Sequence, residues 1–128
     1  MIDVMQRLRG FLDDRQLIDG LTVRYFRWTD ADIEKGGDLV LFRPDSGGGE
    51  SDPLLQRPAV QIALLKSPSD VVDGDATMRA ITTALRSDEQ PPAGVVRFDL
   101  MGHPQGPFYF DDGRAWWRLI VRVFVQDH

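Results

Sequence analysis

The sequence predicts an α+β domain: two helices packed on a mostly antiparallel sheet ending in a C-terminal strand meander. Three observations lead there. Apolar residues recur at three- and four-residue steps in two separate segments, the period of an amphipathic helix. Short runs rich in Val, Leu, Ile and aromatics are set off by Gly, Pro and Asp, as strands are. The order of these segments is helix, strands, helix, then strands in quick succession, not the strict alternation of a parallel α/β sheet.

At 128 residues the chain has the size of one domain, taken as residues 1–128. Hydrophobic residues make up 42% and charged residues 27%, a balance that buries a core rather than staying disordered. No cysteine is present, which excludes disulfide scaffolds, thiolate zinc sites and thiol nucleophiles. Fifteen basic against twenty acidic residues give a net charge of -5, so no overall basic field exists to neutralise phosphates. No apolar run approaches the ~20 residues of a membrane span. The N-terminal stretch MIDVMQRLRGFLDD is amphipathic, without the layout of a signal peptide, and the expected compartment is the cytoplasm.

The first helix is expected over residues 2–15. Ile2, Met5, Leu8 and Leu12 make its stripe, Val4 and Phe11 widen it, and Asp19-Gly20 breaks the pattern. A short strand follows from Leu21 to Trp28, with Val23 and Tyr25 on one side. Asp38–Arg43 reads as the next strand, stopped by Pro44. The segment PDSGGGESDPLLQRP, Pro44 to Pro58, is then a long flexible loop. Loops beyond about 12 residues in compact domains tend to be functional or disordered.

Ala59–Lys66 (AVQIALLK) is apolar almost throughout, which predicts a strand buried on both faces. The second helix is expected over residues 73–86, capped by Asp73 or Asp75, with Ala76, Met78, Ile81 and Leu85 on its apolar face. Pro91 and Pro92 keep Ser87–Gly94 in a loop. Strands are expected at Val95–Met101, Phe108–Asp111 and Arg114–Val125, the last two joined by a tight turn at Asp111-Asp112-Gly113.

The final strand carries the most information about function. Alternation puts Ala115, Trp117, Leu119, Val121, Val123 and Val125 on one face, which must cover the core. The other face carries Trp116, Arg118, Ile120, Arg122 and Phe124. Arginine alternating with aromatics suits a protein–protein contact. The alternative is that the arginine stems cover the aromatics and pair with acidic neighbours on adjacent strands.

Catalytic constellations are hard to assemble from these residues. Gly47-Gly48-Gly49 is followed by Glu50 and Pro53, without the Gly-Lys-Ser/Thr and helix of a phosphate loop. His103 sits between turn signals, and the other histidine is the terminal His128, so no metal-ligand spacing arises. The acidic pairs Asp13-Asp14, Asp30/Asp32, Asp73/Asp75 and Asp111-Asp112 fall where caps and turns favour Asp. Asp32-Ile33-Glu34-Lys35 has the residue types of a nuclease acid–lysine pair but runs into Gly36-Gly37. The serines lack a nucleophile-elbow context. No enzyme activity, cofactor or metal is expected.

Several segments together resemble the tail terminator (minor tail, or tail-completion) proteins of long-tailed bacteriophages. They are the amphipathic N-terminal helix, RPAVQIALLKSP as a proline-preceded strand, the ATMRAITTALR helix, and FDLMGHPQGPFYFDDGRAWWRLIVRVFV as a closing meander. The resemblance covers most of the chain in pattern and layout; the Pro44–Pro58 loop departs from it. It implies a structural protein of phage or prophage that forms a ring, usually hexameric, capping the tail tube and joining it to the head connector. The implied partners are other copies of the chain, the tube protein and the connector protein, in a virion tail assembled in the host cytoplasm. Specific nucleic-acid binding and membrane contact are not expected, and the acidic balance suits a channel that passes DNA without holding it.

On this reading Trp116, Arg118, Arg122 and Phe124 are the main interface candidates, with Gly47, Gly48 and Gly49 of the long loop as a second contact element. The competing reading is a small-molecule-binding or enzymatic α+β domain with a pocket between helices and sheet, lined by His103 and acidic residues. A third is a stand-alone adaptor, monomeric or dimeric, unrelated to phage.

Overall fold

The computed structural model describes residues 2–28, 38–45, 58–87, 91, 94–111 and 113–125. Two helices, α1 (Ile2–Asp14) and α2 (Val71–Arg86), accompany β1 (Thr22–Tyr25), β2 (Leu39–Pro44), β3 (Ala59–Lys66), β4 (Val95–Leu100), β5 (Gln105–Tyr109) and β6 (Ala115–Val125). The strands form one six-stranded sheet in the order β1-β2-β3-β6-β4, with β5 also paired to β6. Only β1 and β2 run parallel; every other pair is antiparallel. This is the expected α+β class.

The sheet has two faces, and the sequence period assigns them. On β6 the residues expected inward, Ala115, Trp117, Leu119, Val121 and Val123, are all buried, whereas Val125 is half-buried. They meet Met5, Leu8, Phe11 and Leu12 of α1 and Met78, Ile81 and Leu85 of α2 in one core. Each such side chain, fully removed from water, contributes roughly 1.5–3 kcal/mol. All eight residues of β3 are buried, as its continuous apolar run predicts. Ala63 and Leu65 of that run, with Leu39 and Leu41 of β2, build a second small cluster on the opposite face, closed by Trp28, Phe110 and Trp116.

Where sequence and structure part, local causes are visible. Helix α2 begins earlier than expected, at Val71, after a 3₁₀ turn over Pro68–Asp70, and neither Asp73 nor Asp75 caps it. Both acids are taken by tertiary partners instead. Asp73 lies 2.7 Å from Lys66 Nζ, and Asp75 accepts a 2.7 Å hydrogen bond from Trp117 Nε1. Ala76 is exposed; its expected place on the apolar face is taken by Gly74 and Thr82. Gly74 is required there, because a Cβ would collide with the Trp117 ring.

Strand β1 is shorter than Leu21–Trp28. Its end is marked by Phe26 at φ 73°, a left-handed conformation that bulky residues seldom adopt, and Trp28 packs instead onto Trp116. The closing strands also pair differently from a simple meander. β4 aligns with the C-terminal half of β6 (Val95 opposite Val125, Leu100 opposite Val121) and β5 with its N-terminal half (Gln105 opposite Arg118, Tyr109 opposite Ala115). The two are successive parts of one antiparallel arm, interrupted at Met101–Pro104, and with β6 they make one long hairpin. Gly113, at φ 89°, closes the turn; its N–H reaches Phe110 O at 2.9 Å while Phe110 N–H reaches Arg114 O at 2.9 Å.

Candidate interaction surface

The four interface candidates on β6 share one face of the sheet, as alternation requires, and all are half-buried. Trp116 is engaged within the chain: Phe108 lies 4.7 Å from its ring centre and Trp28 meets it edge-on at 6.2 Å. Arg118 donates from Nε to Gln105 Oε1 and stands over the Phe108 ring at 5.7 Å. Arg122 lies opposite Asp99 in the β4 register and also reaches Met101 Sδ at 3.8 Å. Phe124 is capped by the Arg97 guanidinium, 4.2 Å from the ring centre.

The result is a band in which cations lie on aromatic rings, each such contact being worth about 0.5–1 kcal/mol at an exposed site. Two guanidinium groups lie over rings, Arg97 on Phe124 and Arg118 on Phe108, while the four β6 side chains stay half-open to solvent. Gly47, Gly48 and Gly49 lie outside the described residues, as do Asp30, the Asp32–Lys35 segment, Asp112 and His128.

A second surface feature lies where the competing reading places a pocket, between helices and sheet beside His103. An open groove of about 660 Å³ runs between the C-terminal end of α2, Phe11 of α1 and strand β4. Phe11, Leu85, Val96, Phe98 and Leu100 supply its apolar wall, and Arg86, Arg97, Asp99 and His103 its polar rim. His103 is exposed there, and the one described acid of the rim, Asp99, pairs with Arg97 at 3.4 Å. Among the described residues the other acidic candidates lie elsewhere, so His103 and these acids do not converge. Asp13 pairs with Arg9 at 3.3 Å, Asp14 and Asp111 are exposed, and Asp73 and Asp75 serve the α2 contacts above.

Buried charge occurs at the base of α2. Lys66, whose side chain is 8% exposed, sits 3.2 Å from Asp38 and 2.7 Å from Asp73, and Asp38 also accepts the Ser67 N–H at 3.0 Å. Burial alone would lower the Lys66 pKa, but the hydrogen bonds and charges of Asp73 and Asp38 outweigh it and raise the pKa above the ordinary lysine value. Lys66 thus joins Asp38, the residue before β2, to Asp73 of α2, so the cluster fastens β2, β3 and α2 together. Among the described residues no group of three or more His, Cys, Asp or Glu is placed to hold a metal ion. No described helix is long and apolar enough to cross a membrane.

Among the described residues, the open features of this small α+β domain are a cation–aromatic band and an edge groove. The family model for phage tail termination protein matches residues 1–127, and the chain belongs to the phage tail terminator family. A comparison with curated proteins gave no match.

Proposed function

We propose that the chain is a structural tail component without enzymatic activity. It forms a homo-oligomeric ring, a hexamer by resemblance, that caps the finished tail tube and offers the surface to which the head connector joins. The observation that carries this reading is the family match over residues 1–127. Trp116, Arg118, Arg122 and Phe124 form one contact band, with Gly47, Gly48 and Gly49 as a second element toward the tube or a neighbour. An interface of standard size needs ~800 Å² from each partner. The acidic net charge of -5 suits a ring through which DNA passes. Assembly takes place in the host cytoplasm, onto a tail of phage or prophage origin.

Electron microscopy of the purified chain mixed with tail tubes is the direct test. Rings at tube ends are expected; tubes left bare at both ends at saturating protein would overturn the proposal. The groove supports a second reading, because its volume exceeds the ~300 Å³ of an ordinary ligand site. On that reading His103, Arg86 and Arg97 would receive a small anionic, partly apolar molecule.

A further inference from the structure

We propose that copies of this chain join head to tail by continuing the sheet: β1 of one copy pairs antiparallel with β4 of the next and fills its edge groove. The inference rests on the self-association reading above and specifies its joint. A ring requires two different, complementary patches on each subunit. The sheet has two different rims, and among the described residues neither β1 nor β4 pairs with a strand on its outer side.

Among the described residues most exposed large hydrophobic side chains lie at these rims: Val96, Met101, Phe108 and Tyr109 along the β4–β5 arm and Phe26 at the end of β1, with Val72 on α2 the exception. An open, apolar strand edge is a template for pairing with another chain. Strand directions also fit. β1 is parallel to β2, β2 antiparallel to β3, β3 antiparallel to β6 and β6 antiparallel to β4, which makes β1 of an adjoining copy antiparallel to β4.

Side chains select the register. On the helix-covered face, β1 presents Val23 and Tyr25 and β4 presents Phe98 and Leu100, all four only partly buried against the core. On the other face lie Arg24, level with Leu41, and Asp99, level with Arg122. Residues directly opposite each other must share a face. Placing Arg24 opposite Asp99 sets Val23 against Leu100 and Tyr25 against Phe98. A shift of two residues one way would set Arg24 against Arg97, and the other way would set Val23 against Gly102. In the chosen register Val23 and Tyr25 enter the groove beside Phe11 and Leu85, so the groove is the seat of a neighbour's strand.

The test uses the absence of cysteine. Thr22 and Met101 are exposed and fall opposite each other in this register, within the ~4.4–6.8 Å Cα separation that a disulfide spans. Thr22→Cys with Met101→Cys in one chain should give a ladder of covalent oligomers on oxidation, even from transient contacts. Either single variant alone should give none, and an equal mixture of the two should stop at dimers. Arg24→Glu or Asp99→Lys should abolish the ladder in that background, and the two together should restore it.

Absence of a ladder, or dimers from one single variant alone, would overturn the proposed joint. Rings on tail tubes without a ladder leave the terminator function standing and remove only this pairing. A ladder with tubes left bare keeps the pairing and removes the function.

Discussion

The indole N–H of Trp117 donates to Asp75 across 2.7 Å, tying the middle of the sheet to the first turns of α2, one residue from a glycine that lies against the same ring. The contact is partly buried and charge-assisted, which makes it stronger than a neutral hydrogen bond. Asp75→Ala should cost about 1–2 kcal/mol, below the full range for a charged partner because Asp75 is partly open to water. Asp75→Asn retains an acceptor oxygen and should cost less than half as much. Urea denaturation of the two variants checks the ordering.

Gly74 and Gly10 should respond to alanine with opposite signs. Both are helical, and alanine in a helix interior is favoured over glycine by about 0.5–1 kcal/mol. At Gly10 nothing lies within 4 Å of the added Cβ, so Gly10→Ala should raise the melting temperature by a few degrees. At Gly74 the Cβ meets the Trp117 ring, and overpacking of ~1–3 kcal/mol outweighs the propensity. Gly74→Ala should therefore melt earlier, as differential scanning calorimetry would record.

Lys66 gives the fold a dependence on alkaline pH. Its pKa in the folded chain is raised above the ordinary value of 10.5, chiefly because Asp73 and Asp38 outweigh the effect of burial. The folded state then holds the proton more tightly than the unfolded chain. The resulting stability is complete below the unfolded lysine value and is lost as pH climbs through the folded one. Lys66→Met should cost about 1–2 kcal/mol near neutrality, the exposure of Asp73 keeping the figure modest. The gap between variant and parent should hold steady from pH 7 to 9 and shrink above about pH 10.5, as midpoints in urea would show.

Arg118→Glu with Arg122→Glu reverses the charge of the cation–aromatic band without touching the core. Both side chains are half-buried at the surface and face away from the helices. The double variant should keep its far-ultraviolet circular dichroism and lose self-association by light scattering. An unchanged oligomer mass would remove the band from the subunit contact and leave the edge pairing untouched.

Much of the fold was legible because its signals are local. Ala59–Lys66 could be read as a doubly buried strand from composition alone, and the alternation after Arg114 assigned nearly every side chain of β6 to its face. Asp73 and Asp75 were misread as caps because their partners, Lys66 and Trp117, are distant in sequence. The break between β4 and β5 is expected from sequence, but that both pair with β6 as one arm depends on register, which no window of neighbouring residues contains. A pocket between helices and sheet beside His103 is among the sequence's alternatives, but its apolar lining is not, because Phe11, Leu85 and Phe98 become neighbours only through the packing of both helices on the sheet. The interface candidates on β6 stand out in the sequence as a mixed face, yet the part of Trp116 spent on Trp28 and Phe108 does not.

Strand β3 has a neighbour on each side and no exposed face. Opening it would require separating β2 from the sheet on one side or the terminal hairpin on the other, so its amides belong to the last unit to unfold. In deuterium exchange, β1 and β4 should label within the early time points and the Val60–Leu65 amides only through global opening. The molecule thus keeps a slow-exchanging centre while leaving its outer strands free to trade solvent for company.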